Sequence, residues 1–248
     1  MEDVDEGDKL KLGETNVDRV TALTKGVSGM IPVAGPIIAE LVGALIPNQR
    51  CDRIEAFLRS LKIRIDRLSA EQKEVIKTSP EHIDLFEEGA QQAVRAITDE
   101  RRQQIAQIVA EGLSGAKREA IDKKRLLLIF SQLDDDDMVL LLKYVMRNRT
   151  KYEEFATTHA YLLEPLHATA FSDPPLRERA ALRTAIVKKL ERFGLIRETL
   201  MSRTGGVPAL ADQMVEQDKD FKITELGRMI LHEASLINDE EYALHDRG

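Results

Sequence analysis

KGVSGMIPVAGPIIAELVGALIPNQR, Lys25 to Arg50, is the stretch on which the reading of this chain turns. Between Gly26 and Pro47 it carries one charged side chain, Glu40, and its middle is broken by Pro32 and Gly35-Pro36. Met30 to Ile46 is 17 residues, short of the roughly 20 that a spanning helix needs. Each half alone is shorter still. Two short helices joined by IPVAGP therefore form an apolar hairpin, with the second helix starting at Pro36. Such a hairpin serves either as the centre of a helical domain or as a re-entrant wedge in a bilayer. As a wedge it would present Ile38, Leu41 and Leu45 to lipid and hold Glu40 at mid-depth, at a cost of about 2 to 3 kcal/mol. The flanking sequence favours the core, because the helices that follow carry apolar stripes that need a partner.

Working outward, VDRVTALTKGVSGM predicts a first helix over 17–30 behind an Asn16 cap, with Val17, Val20, Leu23 and Val27 at helical spacing. Downstream, Ile54, Phe57, Leu58, Leu61, Ile65 and Leu68 form one stripe of a helix from Cys51 to Leu68. After Ser79-Pro80, Ile83, Phe86, Ala90, Val94 and Ile97 recur at steps of three and four, and a further helix runs from Asp99 to Leu113. Lys123 to Leu133 reads as a short, nearly all-apolar helix buried on most sides. Asp134 to Asp137 is an acidic run suited to capping the helix that follows it. Next come TKYEEFATTHAYLLEPLHA, read as one helix, and a long helix ending at Phe193-Gly194. Two short strands, LIRETL and FKIT, and a helix capped by Thr224 complete the chain. The expected architecture is mainly α. An acidic tail over 1–16 precedes a helical domain over 17–130, built round the hairpin at 26–47, and a second domain over 131–248 carries a two-stranded wing.

Composition narrows the functions. The 248 residues carry a formal charge of −7, aromatic residues are 4%, and Trp is absent. An acidic chain does not wrap nucleic acid with its whole surface, so any contact is local. Few aromatics also leave little for stacking single-stranded bases. The first 16 residues hold six acidic and two basic side chains, the opposite of a secretory leader. With Cys51 the lone cysteine, no intrachain disulfide forms, and a reducing, cytoplasmic setting is expected.

Signals for catalysis are weak. His159 and His167 are eight apart without a carboxylate to complete a metal site. KGVSG lacks the Lys-Ser ending of a phosphate-binding loop. Cys51 lies beside Arg50 and Arg53, which would lower its pKa, yet no histidine pairs with it. The chain is expected to be non-enzymatic, with no cofactor and no metal.

The basic side chains concentrate late. Arg177 to Arg203 holds eight basic residues against three acidic. At 100° per residue Leu182, Ile186, Leu190 and Phe193 share one side of the long helix. Arg177, Ala181, Thr184 and Lys188 lie opposite, with Arg192 beside them. That stripe, with Arg203 at the start of the wing, suits phosphate contact, while an ordinary solvated face is the alternative. The wing itself is less suited, since Asp212, Glu216, Asp218 and Asp220 would repel a phosphate backbone.

The order helix, helix, helix ending in Leu190, Phe193, Gly194, Leu195 and Ile196, strand, turn, strand, then Ile223, Thr224, Leu226 and Gly227, resembles the winged helix-turn-helix of bacterial regulators of the MarR and PadR kind. That resemblance covers roughly the last 115 residues. It implies a winged helix that contacts DNA or docks a protein. Residues 17 to 145 are more faintly similar to uncharacterised bacterial helical proteins, some associated with phage defence, and this implies a bacterial cytosolic protein. Three functions follow as expectations. One is a regulator or adaptor acting through the winged helix, with homodimerisation through the helix from Cys51 to Leu68 as one outcome. Another is a membrane-acting effector that releases the hairpin on activation. A third is a subunit of a larger assembly.

Overall fold

The computed structural model describes residues 18–29, 31, 34–43, 47–166, 168–199 and 220–243. The acidic tail, Leu45, His167, Arg203 and the stretch 200–219 lie outside them, as do the wing acids Asp212, Glu216 and Asp218. Among the described residues the chain is mainly helical, with one small antiparallel sheet. It divides into two compact units: Met1–Ser131 with Glu233–Ser235, and Gln132–His232 with Leu236–Gly248.

The first unit contains α1 (18–28), α2 (Ala34–Gly43), α3 (Pro47–Ile65), α4 (Ala70–Thr78), α5 (Pro80–Arg95), α6 (Asp99–Ser114) and α7 (Lys117–Phe130). The predicted stripe of α3 is its core. Ile54, Phe57, Leu58, Leu61 and Ile65 are all essentially inaccessible and face α5 and α6. Phe57 meets Phe86 of α5 with ring centroids 6.3 Å apart. Gly89 lets α5 lie close to α6, because a Cβ there would fall 2.3 Å from Val109 Cγ2. Fully burying side chains of this size contributes about 1.5 to 3 kcal/mol each.

The hairpin joins this core. Val27, Ile31, Ala34 and Ile38 are buried, and α2 packs on α3 and α5. Its second helix begins at Ala34, two residues before the predicted start at Pro36. Pro36 is tolerated there because first-turn N–H groups have no intrahelical acceptor.

Local chemistry sets the remaining boundaries. Ser69 and Gln72 close a capping box on α4, Pro80 opens α5, and Thr98 Oγ1 accepts the Arg101 N–H of α6 at 3.2 Å. Several expectations fail. α3 begins at Pro47 and ends at Ile65, so Leu68 lies beyond it. Ile97 is 82% exposed, because α5 ends at Arg95 and the periodicity does not continue through the turn. α7 starts at Lys117, and Leu128 stays exposed while Leu126, Leu127 and Phe130 are buried. α7 is thus amphipathic, with a dry face of three large side chains.

The second unit contains α8 (Asp135–Lys143), α9 (Arg149–Thr158), α10 (Ala160–Leu163), α11 (Pro174–Arg192), β1 (Ile196–Thr199), β2 (Asp220–Ile223), α12 (Glu225–Glu233, whose last residue counts with the first unit) and α13 (Asp239–Ala243). The strands pair in the register Ile196 with Ile223 and Thr199 with Asp220. Ile196 and Ile223, opposite each other, are both buried. Gly227 packs α12 against the backbone leading into β1, where a Cβ would fall 2.3 Å from the Leu195 carbonyl oxygen. The segment read as one helix after Thr150 is two, α9 and α10, divided at His159.

Candidate functional site

α11 is bounded at both ends by its own sequence. Pro174 and Pro175 open it, their missing N–H groups costing nothing in a first turn. It ends at Gly194, whose φ of +69° suits a residue without a Cβ. The Leu195 N–H donates to the Leu190 carbonyl at 2.9 Å and the Gly194 N–H to the Glu191 carbonyl at 2.8 Å. These two bonds make a Schellman stop. Along its 19 residues, only Leu190 is buried.

That pattern alters the expected apolar side. Leu190 is inaccessible, and Ile186 and Phe193 are half-buried, but Leu182 is 68% exposed. Core packing therefore holds only the C-terminal end of the helix. Near its start, two guanidinium groups tie it down instead: Arg179 donates to the Tyr161 carbonyl at 3.3 Å and Arg183 to the Glu164 carbonyl at 2.6 Å.

Arg177, Ala181, Thr184, Lys188 and Arg192 share an unbroken helix at steps of three and four, and all are exposed. The structure therefore brings these five sequence-predicted residues into one stripe. Lys188 is within 3.1 Å of Glu191. Among the described residues, no carboxylate lies within ion-pair distance of Arg177, Arg179, Arg183 or Arg192. Thr184 Oγ1 donates to the Ala180 carbonyl at 2.9 Å, which fixes its rotamer. Of the alternative set, Ile38 is only 2% exposed and Leu41 is half-buried.

One support of this helix is missing from the sequence reading. Lys189 points inward and meets the carboxylates of Asp137 and, at 3.1 Å, Asp134. The two aspartates also form the capping box of α8, with the Asp137 N–H donating to Asp134 Oδ1 at 3.0 Å and the Asp134 N–H to Asp137 Oδ2 at 2.7 Å. The DDDD run thus does cap α8, and it also anchors α11. Asp137 is fully inaccessible, and its Oδ1 has no hydrogen-bond partner. Burial raises its pKa, an effect that Lys189 only partly offsets. Asp134 goes the other way: burial pushes upward but is outweighed by the Asp137 N–H and the Lys189 ammonium. Lys189 titrates higher than an ordinary lysine, since the two carboxylates outweigh its own desolvation. A signal for this existed, because position 189 lies on the inward half of the helix, where a lysine needs an acidic partner.

The other chemical candidates do not assemble. Cys51 is 3% exposed, and burial, reinforced by Asp52, raises its pKa. The expected lowering by Arg50 and Arg53 is thereby reversed, which leaves the thiol poorly nucleophilic. His159 lies tilted against Phe155, with centroids 4.6 Å apart. No group of three or more potential metal ligands exists among the described residues. Compared with protein-family models, with curated proteins and with solved structures, the chain finds no match.

Proposed function

We propose that the chain is a non-enzymatic regulator whose second unit is a winged helix, with α11 laid against the phosphate backbone of duplex DNA. The observation that carries this reading is the stripe Arg177, Ala181, Thr184, Lys188 and Arg192, exposed along one helix in an otherwise acidic protein. Its small side chains, Ala181 and Thr184, let the helix approach closely, and its cations supply sequence-independent affinity. The element order α11, β1, β2, α12 and the buried Ile196–Ile223 pair give further support. Arg203 would add a contact from the wing. A bacterial defence setting rests only on the likeness of residues 17 to 145.

The test is fluorescence anisotropy of the full-length protein on a mixed-sequence duplex across a salt series. Wild-type affinity should fall steeply with salt. Arg177→Glu with Lys188→Glu should abolish binding at moderate salt and, where binding can still be measured, lower the slope by about 2, roughly 0.9 for each phosphate no longer neutralised. Salt-insensitive binding unchanged in the double variant would remove the DNA reading. Absence of any duplex binding by the wild type would leave α11 as a docking surface for an acidic protein partner.

A further inference from the structure

A cleft of about 200 Å³ opens in the second unit between the end of α8, the start of α9 and the segment around α13. Leu142, Val145, Met146, Leu236 and Ile237 make its floor. Val145 and Ile237 are buried, and the other three are half-buried, so the hollow is apolar and reaches solvent. A hollow of this size suits a small organic molecule.

The rim is polar, formed by Arg147, Asn148, Lys151 and Glu241. Asn148 Oδ1 accepts the Lys151 N–H at 3.1 Å as the cap of α9. Its amide oxygen is thereby oriented, and its Nδ2 remains as a donor. The Lys151 ammonium has no carboxylate partner among the described residues. Glu241 is already engaged, its Oε2 accepting the Asn238 N–H at 3.1 Å and its own N–H donating to Asn238 Oδ1 at 2.8 Å. The Lys151 ammonium and the Asn148 amide nitrogen therefore remain as donors on the rim, while Glu241 is turned to its own helix cap. An apolar hollow with a few convergent polar groups is the usual form of a small-molecule site. We infer that this cleft binds a small monocarboxylate with an apolar body, its tail on Val145 and Ile237 and its head on Lys151 and Asn148. The inference is independent of what α11 contacts.

Isothermal titration of the full-length protein with sodium octanoate tests it, with octylamine and octanol as cationic and neutral controls. Octanoate should bind once per chain with sub-millimolar affinity, octanol more weakly, and octylamine not at all. Lys151→Glu, an exposed change that leaves the floor intact, should weaken octanoate by about tenfold or more. Leu236→Trp, which narrows the hollow, should abolish it. No octanoate binding by the wild type overturns the proposal. So does equal binding of the three probes, or undiminished binding by the Lys151→Glu variant, which stays decisive if Leu236→Trp fails to fold.

Discussion

Glu233 shows how one buried side chain makes stability depend on pH. With Ser235 it belongs to the first unit, where it shares the Lys123 ammonium with Glu111, 2.8 Å from that ammonium. Burial, then the neighbouring Glu111, raises the Glu233 carboxyl to about 7, although Lys123 opposes the shift. Glu111 moves below its ordinary value, because its bonds to Glu233 and Lys123 outweigh its burial. The folded pKa of Glu233 thus lies above its unfolded value of 4.5. Its contribution is complete below 4.5 and is lost as pH rises through about 7. Thermal melts should therefore show the wild type losing stability between about pH 5 and pH 8 relative to Glu233→Gln, whose side chain does not titrate. Parallel pH profiles for the two proteins would contradict this. Position 233 is polar at the end of a helix in sequence, and nothing local foretells that it is 9% exposed. Its partner Lys123 lies 110 residues away in sequence.

At the level of elements, the anchoring of α11 by α8 is the decisive contact. Removing the ammonium while keeping the stem, as in Lys189→Met, leaves Asp137 buried without its cation. Breaking one side of a buried pair costs about 3 to 5 kcal/mol, and the raised pKa of Asp137 lets protonation recover part of this. Chemical denaturation should show a loss of about 3 kcal/mol. The adjacent exposed Lys188→Met should cost no more than about 0.5 kcal/mol. Equal effects would mean that the anchor contributes little. Helix ends were legible at Pro80, Asp134 and Gly194, which act on their own backbone neighbours, whereas the caps at Ser69, Thr98 and Asn148 emerged only with the structure. α4 was not, since only Ile76 of its nine residues is buried and its stripe is faint. α13 has only five residues and no buried side chain, so it too gives no periodic signal. The break at His159 lacked the glycine or proline that would have marked it.

Across the whole molecule, the fate of the hairpin separates two kinds of protein. No helix among the described residues is long and apolar enough to cross a membrane. Val27, Ile31, Ala34 and Ile38 already pack into the first unit's own core. These four side chains are therefore unavailable to a bilayer unless the hairpin is released from that core. The intact protein should not co-sediment with vesicles of phosphatidylcholine and phosphatidylglycerol, and Ile38→Asp should lower the melting temperature. An uncompensated buried carboxylate costs several kcal/mol. Vesicle binding by the wild type that Ile38→Asp removes without loss of stability would reverse this conclusion. By itself the sequence determined the helical class, the inward face of α3, Phe86, Ala90 and Val94 on that of α5, the Asp134 cap and the continuous basic stripe of α11. All of these depend on spacing within a few residues, where backbone geometry alone fixes which side chains are neighbours. Only the tertiary structure decided that Leu182 stays in solvent, that Lys189 reaches Asp137, and that Leu142 and Ile237 face one cleft. Those outcomes depend on where distant helices come to rest, and that placement is set by the burial of many side chains at once.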